Sequence, residues 1–321
     1  MKEYIITIDM GGTKLLGAIT NSNNQILERV KLATDTKNGI DGLVNSIMHI
    51  INTLIFQVGI QQENVKAVVI GVPGSVNPFT GLISVAPNIG LINVNLKELL
   101  HEKINVPIYI ENDVNLGAIG ILGKELDENS KNVLVVFIGT GIGGALIFDR
   151  KIYRGSNYFA GEIGHMKLPG YDNLCGCGKK GCFEAVASRT AIAKEILANI
   201  KKGNKSVITK VLSDNKKIKS KSLKFALNEK DELVTRIIKE KSLIIGKTLG
   251  SITNLLNVDA IVLGGGVTEA LSKYIIPWIK KGFNLTVLES LADVKIIPTE
   301  LGDDAAIYAG YYLVKEMEES K

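Results

Sequence analysis

The chain has 321 residues, enough for two domains that each bury a core without disulfide or metal support. Hydrophobic residues make up 45% and charged residues 22%, which excludes a disordered or fibrous chain. The formal net charge of +5 is spread along the sequence and thickens only from Lys194 to Lys241; no aromatic residue interleaves Lys216, Lys217, Lys219 and Lys221, so a solvated face or mobile hairpin is expected there and no nucleic-acid partner.

Met1 to Asp9 enters an apolar strand pattern at once, with neither a signal peptide nor a run long enough to cross a bilayer. A cytoplasmic protein without a membrane partner is the expectation. The first strand, Tyr4 to Asp9, runs into Asp9-Met10-Gly11-Gly12-Thr13-Lys14 and then into strands Leu15 to Thr20 and Ile26 to Ala33. Glycines on such a hairpin let backbone N–H groups approach an anion with no Cβ in the way. Asp9 at the strand end suits a phosphate-bound Mg²⁺, and Thr13 or Lys14 suits a phosphate oxygen. A plain glycine hairpin reads the same residues without a ligand.

An amphipathic helix from about Gly39 to Gln57 precedes a buried strand, Ala67 to Ile70. Farther on, Ile108-Tyr109-Ile110-Glu111-Asn112-Asp113 ends an apolar strand in three polar residues and opens a helix, Val114 to Gly123. Asp113 suits the N-cap of that helix. A carboxylate at a strand end also suits the base that takes the proton of an alcohol during phosphoryl transfer, with Asn112 orienting the substrate. The glycine turns on either side of it in the sequence favour the second role.

Asn132 to Ile138 opens the second half as Tyr4 to Asp9 opens the first, an apolar strand running into Gly139-Thr140-Gly141-Ile142-Gly143-Gly144 and a second strand, Ala145 to Phe148. Recurrence of the device suggests a duplication and a nucleotide held between two phosphate loops. Neither loop has a Walker ending, and a strand instead of a helix follows each, so a dinucleotide fingerprint is excluded. Helical patterns at Phe183 to Ile200, Leu233 to Leu256 and Thr268 to Lys280 surround the apolar strand Ala260 to Leu263, which ends in Gly264-Gly265-Gly266, a turn suited to a base or ribose. A last helix, about Asp304 to Glu318, is expected to return to the first domain. Two α/β domains with a cleft between them follow from this order.

All three cysteines lie in Cys175-Gly176-Cys177-Gly178-Lys179-Lys180-Gly181-Cys182, with His165 just upstream. Three thiolates and an imidazole suit tetrahedral Zn²⁺ better than free thiols in a Gly/Lys loop, and four protein ligands leave no place for an activated water, so a structural zinc is expected. Glu162, His165 and Glu184 flank that loop.

Taken in order, Asp9 to Lys14, Gly71-Val72-Pro73-Gly74, Ala86-Pro87-Asn88, Glu111-Asn112-Asp113, Gly139 to Gly144, Gly161-Glu162-Ile163-Gly164-His165 and the Cys175 to Glu184 loop resemble the motifs of the ROK family of sugar kinases and repressors. The resemblance covers nearly the whole chain. It implies the actin, sugar-kinase and heat-shock ATPase fold, with two ribonuclease-H-like domains: a smaller one from 1–114 plus 302–321, and a larger one, 115–301, carrying the zinc loop. It implies an ATP-dependent kinase acting on a hexose, glucose first, with Asp113 as catalytic base. Gly74, Asn88, Asn112, Glu162, His165 and Glu184 would hold the sugar. ATP with Mg²⁺ would lie against Asp9, Gly11, Gly12, Thr13, Lys14, Gly139, Thr140, Gly141, Gly264, Gly265 and Gly266, and His165, Cys175, Cys177 and Cys182 would hold the zinc. The family's repressors carry a DNA-binding helix-turn-helix ahead of the first phosphate loop, which here starts at Asp9. A homo-oligomer, dimer or tetramer, is expected from the resemblance alone; other sugars and a non-catalytic sugar sensor stand as alternatives.

Overall fold

The structure is a computed structural model that describes residues 3–35, 38–212 and 217–319. It divides into two compact units, one made of Met1–Glu128, Ile152–Ala160 and Asp303–Lys321, the other of Asn129–Lys151 and Gly161–Gly302.

The first unit is built on a five-stranded sheet in the order Ile26–Ala33, Lys14–Thr20, Tyr4–Met10, Val65–Val72, Ile108–Asn112. The first three strands are antiparallel neighbours and the last two run parallel to Tyr4–Met10. Tyr4–Met10 is buried along most of its length because helices cover both faces. On one face, helix Gly39–Val58 turns Leu43, Ile47, Ile50 and Leu54 toward Ile6, Ile8, Leu15 and Ile19. That helix is long and apolar enough to cross a bilayer by length and composition, but this stripe lies in the core. On the other face lies helix Ala305–Glu319, whose Ile307 packs on Leu16 and Ala18.

Helix Asp113–Lys124 also belongs to the first unit. A Cβ on Gly120 would lie 1.8 Å from the carbonyl oxygen of Ala305, so only glycine lets the two helices approach this closely. That packing is why the unit extends to Glu128 and does not end at residue 114, where the sequence motifs alone would cut it. A small antiparallel sheet, Ser75–Val76, Leu82–Ala86 and Leu91–Asn95, completes the unit; its short turn Pro87–Ile89 carries Asn88.

The second unit repeats the plan. Its sheet runs Lys151–Tyr153, Ile142–Phe148, Val133–Ile138, Ala260–Gly264, Lys295–Pro298, with an antiparallel hairpin at Ile142 to Ile138 and parallel neighbours beyond. Equal strand order around equal glycine turns is the duplication that the two apolar strands announced. Helices Glu232–Leu256 and Gly266–Asn284 bury Ile245, Leu249, Ile275, Ile279 and Phe283 in its core.

One local expectation fails here. The pattern from Phe183 to Ile200 is not one helix: Ser188 is extended (φ −70°, ψ 168°) and its side chain caps a new helix, Arg189–Lys201, by accepting from the Ala191 amide. Within the lysine-rich stretch the described residues include helix Ser220–Asn228 and the start of Glu232–Leu256; Lys217, Lys219 and Lys221 are exposed, as a solvated face has them, and Lys216 lies outside the described residues.

Candidate functional site

In the first unit the parallel strands bring their carboxyl ends into line. Asp9 is level with Gly71, Gly71 with Glu111, and Val72 with Asn112. Three of the motifs singled out above are therefore neighbours at one edge of one sheet, where open α/β sheets offer loops to a ligand.

Asp9 sits where its strand gives way to the glycine turn. Burial, and then the nearby Asp303 carboxylate, raise its pKa to about 6, with Lys14 pulling the other way. A buried carboxylate beside a second one holds its proton more tightly than an exposed one. Within the turn, the Gly11 amide donates to the Lys14 carbonyl at 2.8 Å and the Thr34 hydroxyl donates to the Gly11 carbonyl at 2.7 Å. The Gly11 amide and carbonyl are therefore both engaged in closing the turn. The Lys14 ammonium is likewise engaged, by Asp303. Gly12 and Thr13 are exposed, and a Cβ on Gly12 would come within 3.3 Å of the Asn88 carbonyl oxygen, so the turn and the Asn88 loop touch.

Asp113 is not the helix N-cap. Asn112 takes that position, its Oδ1 accepting from the Asn115 amide at 3.0 Å, while Asp113 is the first helical residue. The cap expected of Asp113 is thus made by its neighbour. Its Oδ1 accepts from the Val114 amide at 2.9 Å and from Asn112 Nδ2 at 3.2 Å. Asn112 Nδ2 also donates to the Gly74 carbonyl at 3.0 Å. Gly74 is fixed by crowding as well: a Cβ there would meet the Val85 carbonyl oxygen at 2.3 Å.

Behind these residues lies a pair that sequence reading missed. Glu111 is only 1% exposed, and its Oε2 accepts from Arg154 Nε at 2.8 Å. Nothing in the sequence named a partner 43 residues away.

In the second unit the turn is shorter than expected, Gly139 to Gly141, because Ile142 to Gly144 already pair in the second strand; its carbonyls are held from one side. The Arg189 amide donates to the Gly139 carbonyl at 3.0 Å, and the Thr190 hydroxyl to the Thr140 carbonyl at 2.7 Å. In a trans peptide the N–H points opposite the carbonyl, so the amides of Thr140 and Gly141 face away from that helix start. Arg189 Nη2 donates to the Thr140 hydroxyl at 2.6 Å, a cation at the turn that the sequence did not flag. A Cβ on Gly265 would lie 2.7 Å from the Ile138 carbonyl oxygen, which sets Gly264 to Gly266 beside the same turn. Glu184 is there too, its Oε2 2.4 Å from where a Cβ on Gly141 would be.

The ligand atoms of His165, Cys175, Cys177 and Cys182 all lie within 4.8 Å of one another. Cys175 Sγ is 3.8 Å from His165 Nδ1, and Cys177 Sγ is 3.7 Å from Cys182 Sγ. A tetrahedron with Zn–S of about 2.3 Å has edges of about 3.8 Å, so the donors fit a zinc ion in kind and spacing. With Nδ1 toward the thiols, His165 Nε2 faces Glu162 Oε2 at 3.8 Å. Desolvation raises the Glu162 pKa, His165 opposes it and Glu184 adds to it. The three polar groups expected to meet a sugar are thus gathered around the cysteine loop, with Cys175 Sγ 3.0 Å from Glu184 Oε1.

The model of the ROK family matches residues 5–317. The chain belongs to the ROK family. A glucokinase of Halalkalibacterium halodurans is 29% identical over 320 residues, covering 99% of this chain and 97% of that protein. The crystal structure of a ROK family glucokinase from Streptomyces griseus in complex with glucose and AMPPNP superposes with a TM-score of 0.84 at 27% identity, covering 98% of this chain and 99% of that one. Repressors of the ROK family match as well: a putative xylose repressor of Caldicellulosiruptor is 27% identical over 260 residues, 81% of this chain and 65% of its own length. The fold expected from the motifs, two ribonuclease-H-like α/β domains of the actin and sugar-kinase type, is the fold of these ROK proteins.

Proposed function

We propose that this ROK protein is an ATP-dependent hexokinase whose first substrate is glucose, phosphorylated at its primary hydroxyl. The observation that carries this reading is the alignment of Asp9, Gly71 to Gly74 and Asn112-Asp113 at the ends of three adjacent parallel strands. In that reaction Asp113 accepts the proton of the sugar hydroxyl as its oxygen bonds to the γ-phosphorus and the bond to ADP breaks. Asn112 holds Asp113 and the Gly74 backbone in one arrangement. Asn88, Glu162, His165 and Glu184 take the remaining hydroxyls, a polar set that disfavours any sugar leaving one of them unmatched.

Gly12, Thr13, Thr140 and Gly141 offer amides or hydroxyls to the nucleotide phosphates, with Arg189 beside them, and Gly264 to Gly266 back the adenosine. Asp9 would hold Mg²⁺, which supplies charge neutralisation to the phosphates. His165, Cys175, Cys177 and Cys182 would hold a structural zinc, which shapes the loop that presents Glu162 and Glu184. A cytoplasmic homo-oligomer acting on small molecules, without nucleic acid or membrane, completes the reading.

The test is ADP release by purified protein with ATP, Mg²⁺ and a panel of glucose, fructose, allose, N-acetylglucosamine and N-acetylmannosamine. Highest kcat/KM with glucose is expected. A different sugar leading keeps the chemistry and changes the substrate. The repressor relatives support one competing reading, a sugar sensor; sugar binding without ADP release from any member of the panel would favour it and overturn the kinase.

A further inference from the structure

Glu111 is a carboxylate almost fully enclosed at the end of strand Ile108–Asn112, and both of its oxygens accept hydrogen bonds. Its Oε1 accepts from the Asn112 amide at 3.0 Å and from Asn115 Nδ2 at 3.1 Å. Its Oε2 accepts from Arg154 Nε at 2.8 Å. Arg154 reaches on to Glu316 Oε1 with Nη1 at 3.4 Å, and both acidic partners raise its pKa against the opposing effect of burial. Asn112 and Asn115, the two residues that Glu111 grips, flank Asp113 on either side.

A buried ion pair adds little net stability over an apolar pair of the same shape, because desolvating both charges offsets their attraction. What such a pair supplies is direction. Arg154 fixes Oε2, which fixes the carboxylate plane, which fixes the backbone amide from which Asp113 follows. The Arg154 Nη2 is buried with no partner among the described residues, a penalty that stability alone would not retain. Chain placement agrees: the segment Ile152–Ala160 belongs to the first unit although the residues on both sides of it belong to the second.

We infer that Arg154 is a positioning residue for Asp113, acting through Glu111 and the amides of Asn112 and Asn115. The inference rests on the reading of Asp113 as the base. It deepens that reading by naming what holds the base in register. Lysine in place of Arg154 keeps a charge but not the guanidinium fork.

The experiment compares Arg154→Met, Arg154→Lys and Asp113→Asn with the unaltered protein, measuring kcat, glucose Kd without nucleotide, and the thermal midpoint. A displacement near 1 Å at a reacting group lowers rate about 100-fold, so Arg154→Met is expected to lose about that much kcat while glucose Kd moves less than about threefold. Arg154→Lys is expected to recover part of the rate. Full kcat in folded Arg154→Met overturns the inference, as does a loss of kcat matched by an equal loss of glucose affinity. Should Arg154→Met fail to fold, Arg154→Lys decides: kcat below that of the unaltered protein at equal glucose Kd supports the inference, and an unchanged kcat overturns it. Asp113→Asn separates the two claims. If that variant turns over normally the base is misassigned; if it is inactive while Arg154→Met runs at full rate, only the role of Arg154 falls.

Discussion

The side-chain amide of Asn112 donates to the carbonyl oxygen of Gly74 at 3.0 Å, joining the end of one parallel strand to the loop that follows its neighbour. The same amide reaches Asp113 Oδ1, so any distortion at Gly74 is passed to the carboxylate. Gly74→Val is the direct probe. Its side chain would collide with the Val85 carbonyl oxygen and with Ala86 Cα, next to the turn that carries Asn88. Overpacking of this kind costs about 1–3 kcal/mol, and glucose Kd is expected to rise at least about tenfold, measured by titration calorimetry.

Asp9 gives a pH signature. Its pKa is about 6 in the folded chain against 3.8 for the ordinary value. The folded state therefore binds the proton more tightly than the unfolded one. The stability this confers is complete below about 3.8 and is lost as pH rises through about 6. Asp9→Asn removes the ionised form, so the variant is expected to melt above the unaltered protein at pH 8, by an amount corresponding to at most about 3 kcal/mol, and to lose the advantage at pH 4. Thermal melts at the two pH values, without Mg²⁺ or nucleotide, check the sign.

Arg189 gives a nucleotide signature. Its guanidinium bonds the Thr140 hydroxyl at 2.6 Å, where a phosphate would gain from the charge. Arg189→Ala is expected to raise the KM for ATP by about tenfold while glucose Kd stays within about twofold, since a charge-assisted hydrogen bond contributes about 1.5–3 kcal/mol. Steady-state kinetics with each substrate varied in turn provide the comparison.

Metal removal gives a third. The four donors lie within 4.8 Å of one another, two pairs of them at 3.7 and 3.8 Å, and Glu162, His165 and Glu184 are gathered around their loop. Chelation is expected to release about one zinc per chain, by elemental analysis, and to abolish glucose binding, because apo sites of this kind lose their ordered loop. Unchanged glucose affinity in metal-free protein would contradict the structural role.

Much of this was legible in the sequence because it is local. The strand and glycine-turn pairs at Tyr4 to Lys14 and Asn132 to Gly144 carry their own periodicity and turn chemistry, and the Cys175 to Cys182 loop with His165 upstream defines a donor set by spacing. What the sequence did not give is long-range or a matter of who bonds whom. Arg154 meets Glu111 across 43 positions, and Arg189 meets Thr140 across 49. Whether Asn112 or Asp113 caps the helix depends on one backbone torsion that both residues tolerate. The acceptor of the Gly11 amide is likewise a carbonyl set by the hairpin's own closure. The domain limit moved to Glu128 because the contact between Gly120 and Ala305 joins segments at opposite ends of the chain.

The central claim is that Asp113 removes the proton from the sugar hydroxyl, and one measurement bears on it most directly: kcat of Asp113→Asn with glucose and Mg·ATP, alongside its glucose Kd. General-base removal is expected to lower kcat by about 10²–10⁴-fold while the amide, similar in shape, keeps glucose affinity within a fewfold. Turnover at the rate of the unaltered protein would contradict the account.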